Sequence, residues 1–100
     1  MIQLNYTQAI EQAEQLSKMA DEIKDLSEEE VAKLITDLGS CWEGENASAY
    51  IAKVEILKRN LEKTAEDIKK TSTTIRDMAT NIYNAEMEAE KIADNRTFNQ

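Results

Sequence analysis

The stretch Gly39-Ser40-Cys41-Trp42-Glu43-Gly44 decides how the chain is read. It holds both glycines and the only tryptophan, and the sequence on either side reads as helix. Glycine reaches backbone conformations that stop a helix at low steric cost. Gly39 is therefore expected to close a first helix, and Gly44 to free the turn into a second. Between them lies the largest apolar side chain of the protein. A Trp in a tight turn is either an anchor that holds a hairpin shut or an exposed grip for a partner. Both roles hold together if the indole packs along one edge and shows the other.

Upstream of the turn, a first helix is expected over about residues 5–38. Ile2, Tyr6, Ala9, Ala13, Leu16, Ala20 and Ile23 follow alternating steps of four and three, which places them on one helical stripe. Ile10, Met19 and Leu26 widen it on its flanks. The pattern then shifts phase. Ser27 falls where an apolar residue is due, and the ladder resumes at Val31, Leu34 and Leu38, with Ile35 beside it. Ser27-Glu28-Glu29-Glu30 also fits a capping box. The helix either breaks near Leu26-Ser27 or runs through with Ser27 tolerated on the stripe. With no Pro or Gly at this point, a continuous helix with a local bend is the expectation, and such a phase shift changes the local supercoil.

Downstream, residues 39–45 form the turn and a second helix is expected over about 46–93, starting at Glu45 or Asn46. Ala47, Tyr50, Val54, Leu57, Leu61, Thr64, Ile68, Thr71, Ile75, Met78, Ile82, Ala85, Ala89 and Ile92 keep an unbroken three-four alternation. That is a heptad stripe of about seven repeats, the pattern of coiled-coil-like packing. Thr64 and Thr71 mark either a close helix crossing or a weak point in the stripe. Residues 94–100 lose the pattern and read as a flexible polar tail in which Phe98 is the one apolar ring.

Composition agrees with an all-α fold. One hundred residues without proline suit one domain, here residues 1–93, and offer few turn signals for a β fold. The net charge of −8 disfavours nucleic acid and anionic lipid as partners. With no histidine and one cysteine, His/Cys zinc sites and histidine-based catalytic sets are absent, and no cofactor is implied. Cys41 cannot pair within the chain. It reads as a small, partly buried turn residue, with a reactive or cross-linking thiol as the other reading. The N-terminus lacks the basic and apolar regions of a Sec signal peptide, and no apolar run is long enough to span a bilayer.

Two long antiparallel helices do not enclose a core. At about 1.5 Å per residue they measure roughly 50 and 70 Å, and a hairpin leaves much of a broad apolar stripe uncovered. Association of two hairpins into an elongated four-helix bundle covers it. Tyr50, Val54, Leu57, Leu61, Ile68, Ile75, Met78 and Ile82, with Leu16, Ile23 and Leu34, are the expected packing and dimer residues. The second hairpin is a copy of the chain or a related hairpin.

Trp42-Glu43-Gly44 between two such helices resembles the WxG-motif family of small helical-hairpin proteins handled by type VII secretion systems. Ala47 and Tyr50 sit where that family commonly carries a small residue and an aromatic. The resemblance covers most of the chain. It implies an elongated hairpin dimer, secreted without a Sec signal after a cytoplasmic stage, with Trp42 and Gly44 as its turn motif. It also implies the type VII machinery as partner, and a turn that lies near the C-terminal part of the partner subunit. The family's export signal is a Tyr followed four residues later by an acid. Here Tyr83-Asn84-Ala85-Glu86-Met87-Glu88 has Met at that place, so Tyr83 and Glu86 are the nearest candidates.

Three functional classes follow. The first is a secreted type VII substrate acting as a dimer, whether effector, carrier or structural part. The second is a targeting partner or chaperone for a larger toxin whose helices complete the bundle. The third is an intracellular coiled-coil adaptor. An enzyme is disfavoured, because the acidic runs Glu28-Glu29-Glu30 and Glu86-Met87-Glu88-Ala89-Glu90 lie on solvated helix faces and catalytic carboxylates need a concave, partly dry site.

Overall fold

The computed structural model describes the backbone of residues 2–99 and the side chains of residues 5–96. Ile2, at the head of the expected stripe, and Phe98, in the expected tail, have side chains outside that range. Helix α1 spans Ile2–Asp25 and a π-helical segment spans Leu26–Val31. Helix α2 spans Ala32–Cys41, and helix α3 returns over Glu45–Asn99. Lys69 meets Asp21 while Arg76 meets Glu14, so numbers rise along α3 as they fall along α1. The pairing is antiparallel.

The molecule measures 84 × 15 × 13 Å, with a radius of gyration of 23.2 Å. A compact chain of this size has a radius near 13 Å. The length is that of α3 itself, which contains neither glycine nor proline and so meets no intrinsic breaker. The same reason carries α3 beyond residue 93 and through residues 94–99 of the expected tail.

The first helix also outruns its expected end. Gly39 lies inside α2 with helical backbone, and among the described residues Gly44 alone has positive φ, at 112°. The stop falls at Trp42, whose backbone is extended at φ −137° and ψ 125°. Its N–H still donates to the Leu38 carbonyl at 3.0 Å, which closes the last turn. Gly44 then accepts from the Ser48 N–H at 3.0 Å and so opens α3. Glycine permits a helix end but does not impose one. Cys41, expected to be partly covered, is exposed.

Between the helices runs a seam of small side chains. Ala13, Ala20 and Ser27 are buried at steps of seven residues along the first arm. Facing them on α3 are buried Ala65 and Ser72, with Lys58 and Ala79 partly buried at the same spacing. Ala47 and Val54 are buried, and Leu61, Ile68 and Ile75 half-buried, along the neighbouring heptad position. Small residues let two backbones approach closely, and Ser72 uses the approach to donate to the Ala13 carbonyl at 2.6 Å.

The phase shift at Ser27 is resolved by the π-helical segment, which fits one extra residue into the helix without a break. No capping box forms there. The Ser27 hydroxyl, fully buried, donates to Glu62 Oε1 at 3.1 Å and lies 3.4 Å from the Lys58 carbonyl oxygen. After the segment, Ile35 is half-buried eight residues beyond Ser27, and Leu34 is exposed.

Candidate functional site

The hairpin has two unlike sides. Acidic residues follow the seam positions of α1 and the π-helical segment: Glu14 follows Ala13, Asp21 follows Ala20 and Glu28 follows Ser27. These meet the polar flank of α3. Lys69 Nζ donates to Ser17 Oγ at 2.7 Å and to Asp21 Oδ1 at 3.1 Å, and Arg76 lies 3.9 Å from Glu14. Such exposed pairs contribute little energy but tie the helices along one edge.

The residue before each seam position lies on the opposite side, and there, apart from Gln12, Thr64 and Thr71, the chain is apolar. Met19 precedes Ala20, Leu26 precedes Ser27 and Leu34 precedes Ile35; all three are exposed. On α3, Tyr50 precedes Ile51, Leu57 precedes Lys58 and Met78 precedes Ala79, again exposed, with exposed Ile82 one turn beyond Met78. Thr64 and Thr71 complete this edge, both exposed, and the Thr71 hydroxyl donates back to the Asp67 carbonyl at 3.0 Å. Half-buried Leu16 and Ile23 on α1, and Leu61, Ile68 and Ile75 on α3, lie between this edge and the seam. The expected stripe is thus divided lengthwise. One margin is spent on the hairpin and the other remains open to solvent, as a patch of the kind that marks interaction surfaces.

At the closed end, Trp42 stands against Tyr50, ring centroids 5.8 Å apart and tilted by 49°. Trp42 is still 41% exposed. Both readings of the turn Trp are therefore realised: it packs on the first turns of α3 and it presents a surface. Ala47 is buried, which lets the turn close over it.

At the open end, Tyr83 is half-buried and packs on Tyr6 of α1, with centroids 4.5 Å apart at 34°. Asn5, Tyr6, Ala9, Ile82, Tyr83 and Glu86 line one shallow groove, so the structure brings both export-signal candidates to the same place. Met87 is exposed. Residues 84–96 are exposed throughout, because α3 outruns α1 there. Tyr6 as the neighbour of Tyr83 was not evident from sequence, since a stripe gives faces but not the register between two helices.

The sharpest electrostatic feature is Glu62. Hydrogen bonds from Lys58 and then Ser27 hold its carboxyl below the ordinary value of 4.5. It fastens helix to helix at the edge of a shallow groove that Ala20, Lys24, Glu28 and Lys69 also line. Among the described residues, no group of three His, Cys, Asp or Glu is placed to hold a metal ion, and no helix is long and apolar enough to cross a membrane.

Fold and surface together define a class: an elongated two-helix hairpin, sided along its length and closed by a Trp-x-Gly turn. Over residues 1–87 the chain matches the family model WXG100, described as proteins of 100 residues with WXG, and it belongs to that family. No curated protein and no solved structure matches the chain. Membership makes this a small protein associated with type VII secretion, in a family of secretion substrates rather than enzymes.

Proposed function

We propose that the protein is an exported type VII substrate that acts as a pair of hairpins joined through the open apolar margin. The observation that carries this reading is the division of the stripe. Met19, Leu26, Leu34, Leu57 and Met78 are exposed on the side opposite the Lys69–Asp21 and Arg76–Glu14 pairs. A strip that runs along the hairpin calls for an occupant of similar length, and a second hairpin of the same kind has it. These side chains are already about half covered, so burying the rest contributes on the order of half of the roughly 1.5–3 kcal/mol of full burial for each, before the cost of association, and this favours a bundle over a solvated hairpin.

Tyr83 and Glu86 are the residues proposed to present the export signal, with Trp42 and Gly44 as the turn half of a composite surface. Detection of the protein in culture medium tests export. The intact chain is expected outside cells with a working secretion machine and only inside cells without one. Equal amounts in both media contradict the reading.

A second reading is favoured by Met87. The family pattern asks for an acid four residues after Tyr83, and this chain has an exposed Met there. A chain with an incomplete signal suits a targeting partner whose companion, a related hairpin or a larger toxin, supplies the rest. Export that appears only when such a companion is co-expressed supports this second reading over the first.

A further inference from the structure

The π-helical segment Leu26–Val31 does something the hairpin alone does not need. In an uninterrupted α-helix, Val31, Leu34 and Leu38 continue the stripe of Ala13, Ala20 and Ser27, and Leu34 faces α3. The segment spreads one extra residue over its length, so α2 lags by about one position around the helix. The seam steps from Ser27 to Ile35 instead, and Leu34 emerges 45% exposed. It stands one before the seam, as Met19 and Leu26 do, and so on the same side of the molecule.

Within one hairpin this exchange gains little. Ile35 replaces Leu34 at the seam, two side chains of equal size, while the helix adopts a rare geometry. The gain lies on the outer face. We infer that the π-helical segment is a rotational device that turns α2 so that Leu34 extends the apolar margin of Leu26 and Leu57, completing a docking surface for a second copy of this chain. The inference rests on the reading of that margin as a dimer surface. A second copy is the fitting occupant because the margin runs along both arms of the hairpin, and a length-matched pair covers it end to end.

Deleting Glu29, an exposed residue of the segment, tests it by restoring α-helical phase. Rotation is read first, by thiol labelling in a Cys41→Ser background, at a dilution where the chain sediments as a single hairpin. In the undeleted chain Leu34→Cys is expected to react several-fold faster than Ile35→Cys, and in the deletion variant the order reverses. Association is read second, by sedimentation. Leu34→Ser is expected to weaken self-association of the undeleted chain roughly tenfold or more, and to change nothing further once Glu29 is deleted. If the deletion variant does not fold, Leu34→Ser against Ile35→Ser in the undeleted chain carries the test, with unfolding read at the dilution where the chain is a single hairpin: the first weakens association and changes that midpoint less than the second, which lowers it. An unchanged labelling order, or equal effects of the two serines, overturns the inference and leaves the dimer reading standing. An undeleted chain that remains a single hairpin at every concentration overturns the dimer reading, and the inference with it.

Discussion

Ser72 crosses the helix seam and donates its hydroxyl to the carbonyl of Ala13 at 2.6 Å, with Ser72 only 3% exposed. The bond fixes register as well as distance, because it forms only where a small residue on α3 meets the bare backbone beside a small residue on α1. Ser72→Ala keeps the close approach and loses the bond, at an expected cost of about 0.5–1.5 kcal/mol. Ser72→Leu has no room at this crossing and is expected to cost about 1–3 kcal/mol or to part the helices locally. Urea unfolding monitored by helical circular dichroism measures both, and equal costs would contradict a tight seam.

The two glycines are predicted to respond in opposite directions. Gly39 has helical backbone inside α2, and a Cβ there meets nothing within 4 Å. Gly39→Ala is therefore expected to stabilise the fold by about 0.4–1 kcal/mol, chiefly by restricting the unfolded chain. Gly44 has φ 112° with equally open space, so its difficulty is conformational rather than steric crowding. Gly44→Ala is expected to destabilise by about 1–3 kcal/mol. Thermal unfolding separates the pair.

Glu62 gives the acid limb of the stability profile its expected shape. Its folded-state pKa is depressed, by Lys58 first and Ser27 second. A depressed carboxylate contributes stability that is fully present above its unfolded value and is lost as pH falls through the folded one. The contribution is thus present above about 4.5 and fades below it. Glu62→Gln is expected to lower stability at neutral pH and to converge with the parent in strong acid. Parallel curves down to the lowest pH would contradict the assignment.

The signal region lends itself to a gain-of-function test. Tyr83 and Glu86 share a groove with Tyr6, while Met87 stands where the family pattern has an acid. Tyr83→Ala is expected to abolish export, and Met87→Glu to raise it. Export unchanged in both variants would place the signal elsewhere or in a partner. Tyr6→Ala removes a ring pair of the kind that contributes about 0.5–1.5 kcal/mol. It should loosen amide-exchange protection at the open end of the hairpin and leave the Ser27–Ser72 centre unchanged.

The helices, their pairing and the Trp-x-Gly turn were legible because they rest on spacing and on a single unusual tripeptide. The stripe from Ala47 to Ile92 did mark the apolar surface of α3. It did not show that Val54 faces the partner helix while Leu57 faces solvent, since both are apolar and only the register between helices separates them. Small residues spaced by seven, Ala13, Ala20 and Ser27 against Ala65 and Ser72, were the available signal for the seam. Gly39 misled because glycine permits a helix end without imposing one, and a modest cost in the helix interior does not stop α2 from running past it. At Ser27 the phase shift was visible, but a bend and an inserted residue predict the same loss of phase.

The central claim is that the margin of Met19, Leu26, Leu34, Leu57 and Met78 joins two hairpins. Sedimentation equilibrium of the purified chain beside Leu57→Glu, across a wide concentration range, tests it most directly. The account predicts a dimer for the parent and a single hairpin of undiminished helicity for the variant. A parent that remains a single hairpin throughout, or a dimer indifferent to a charge at Leu57, would contradict it.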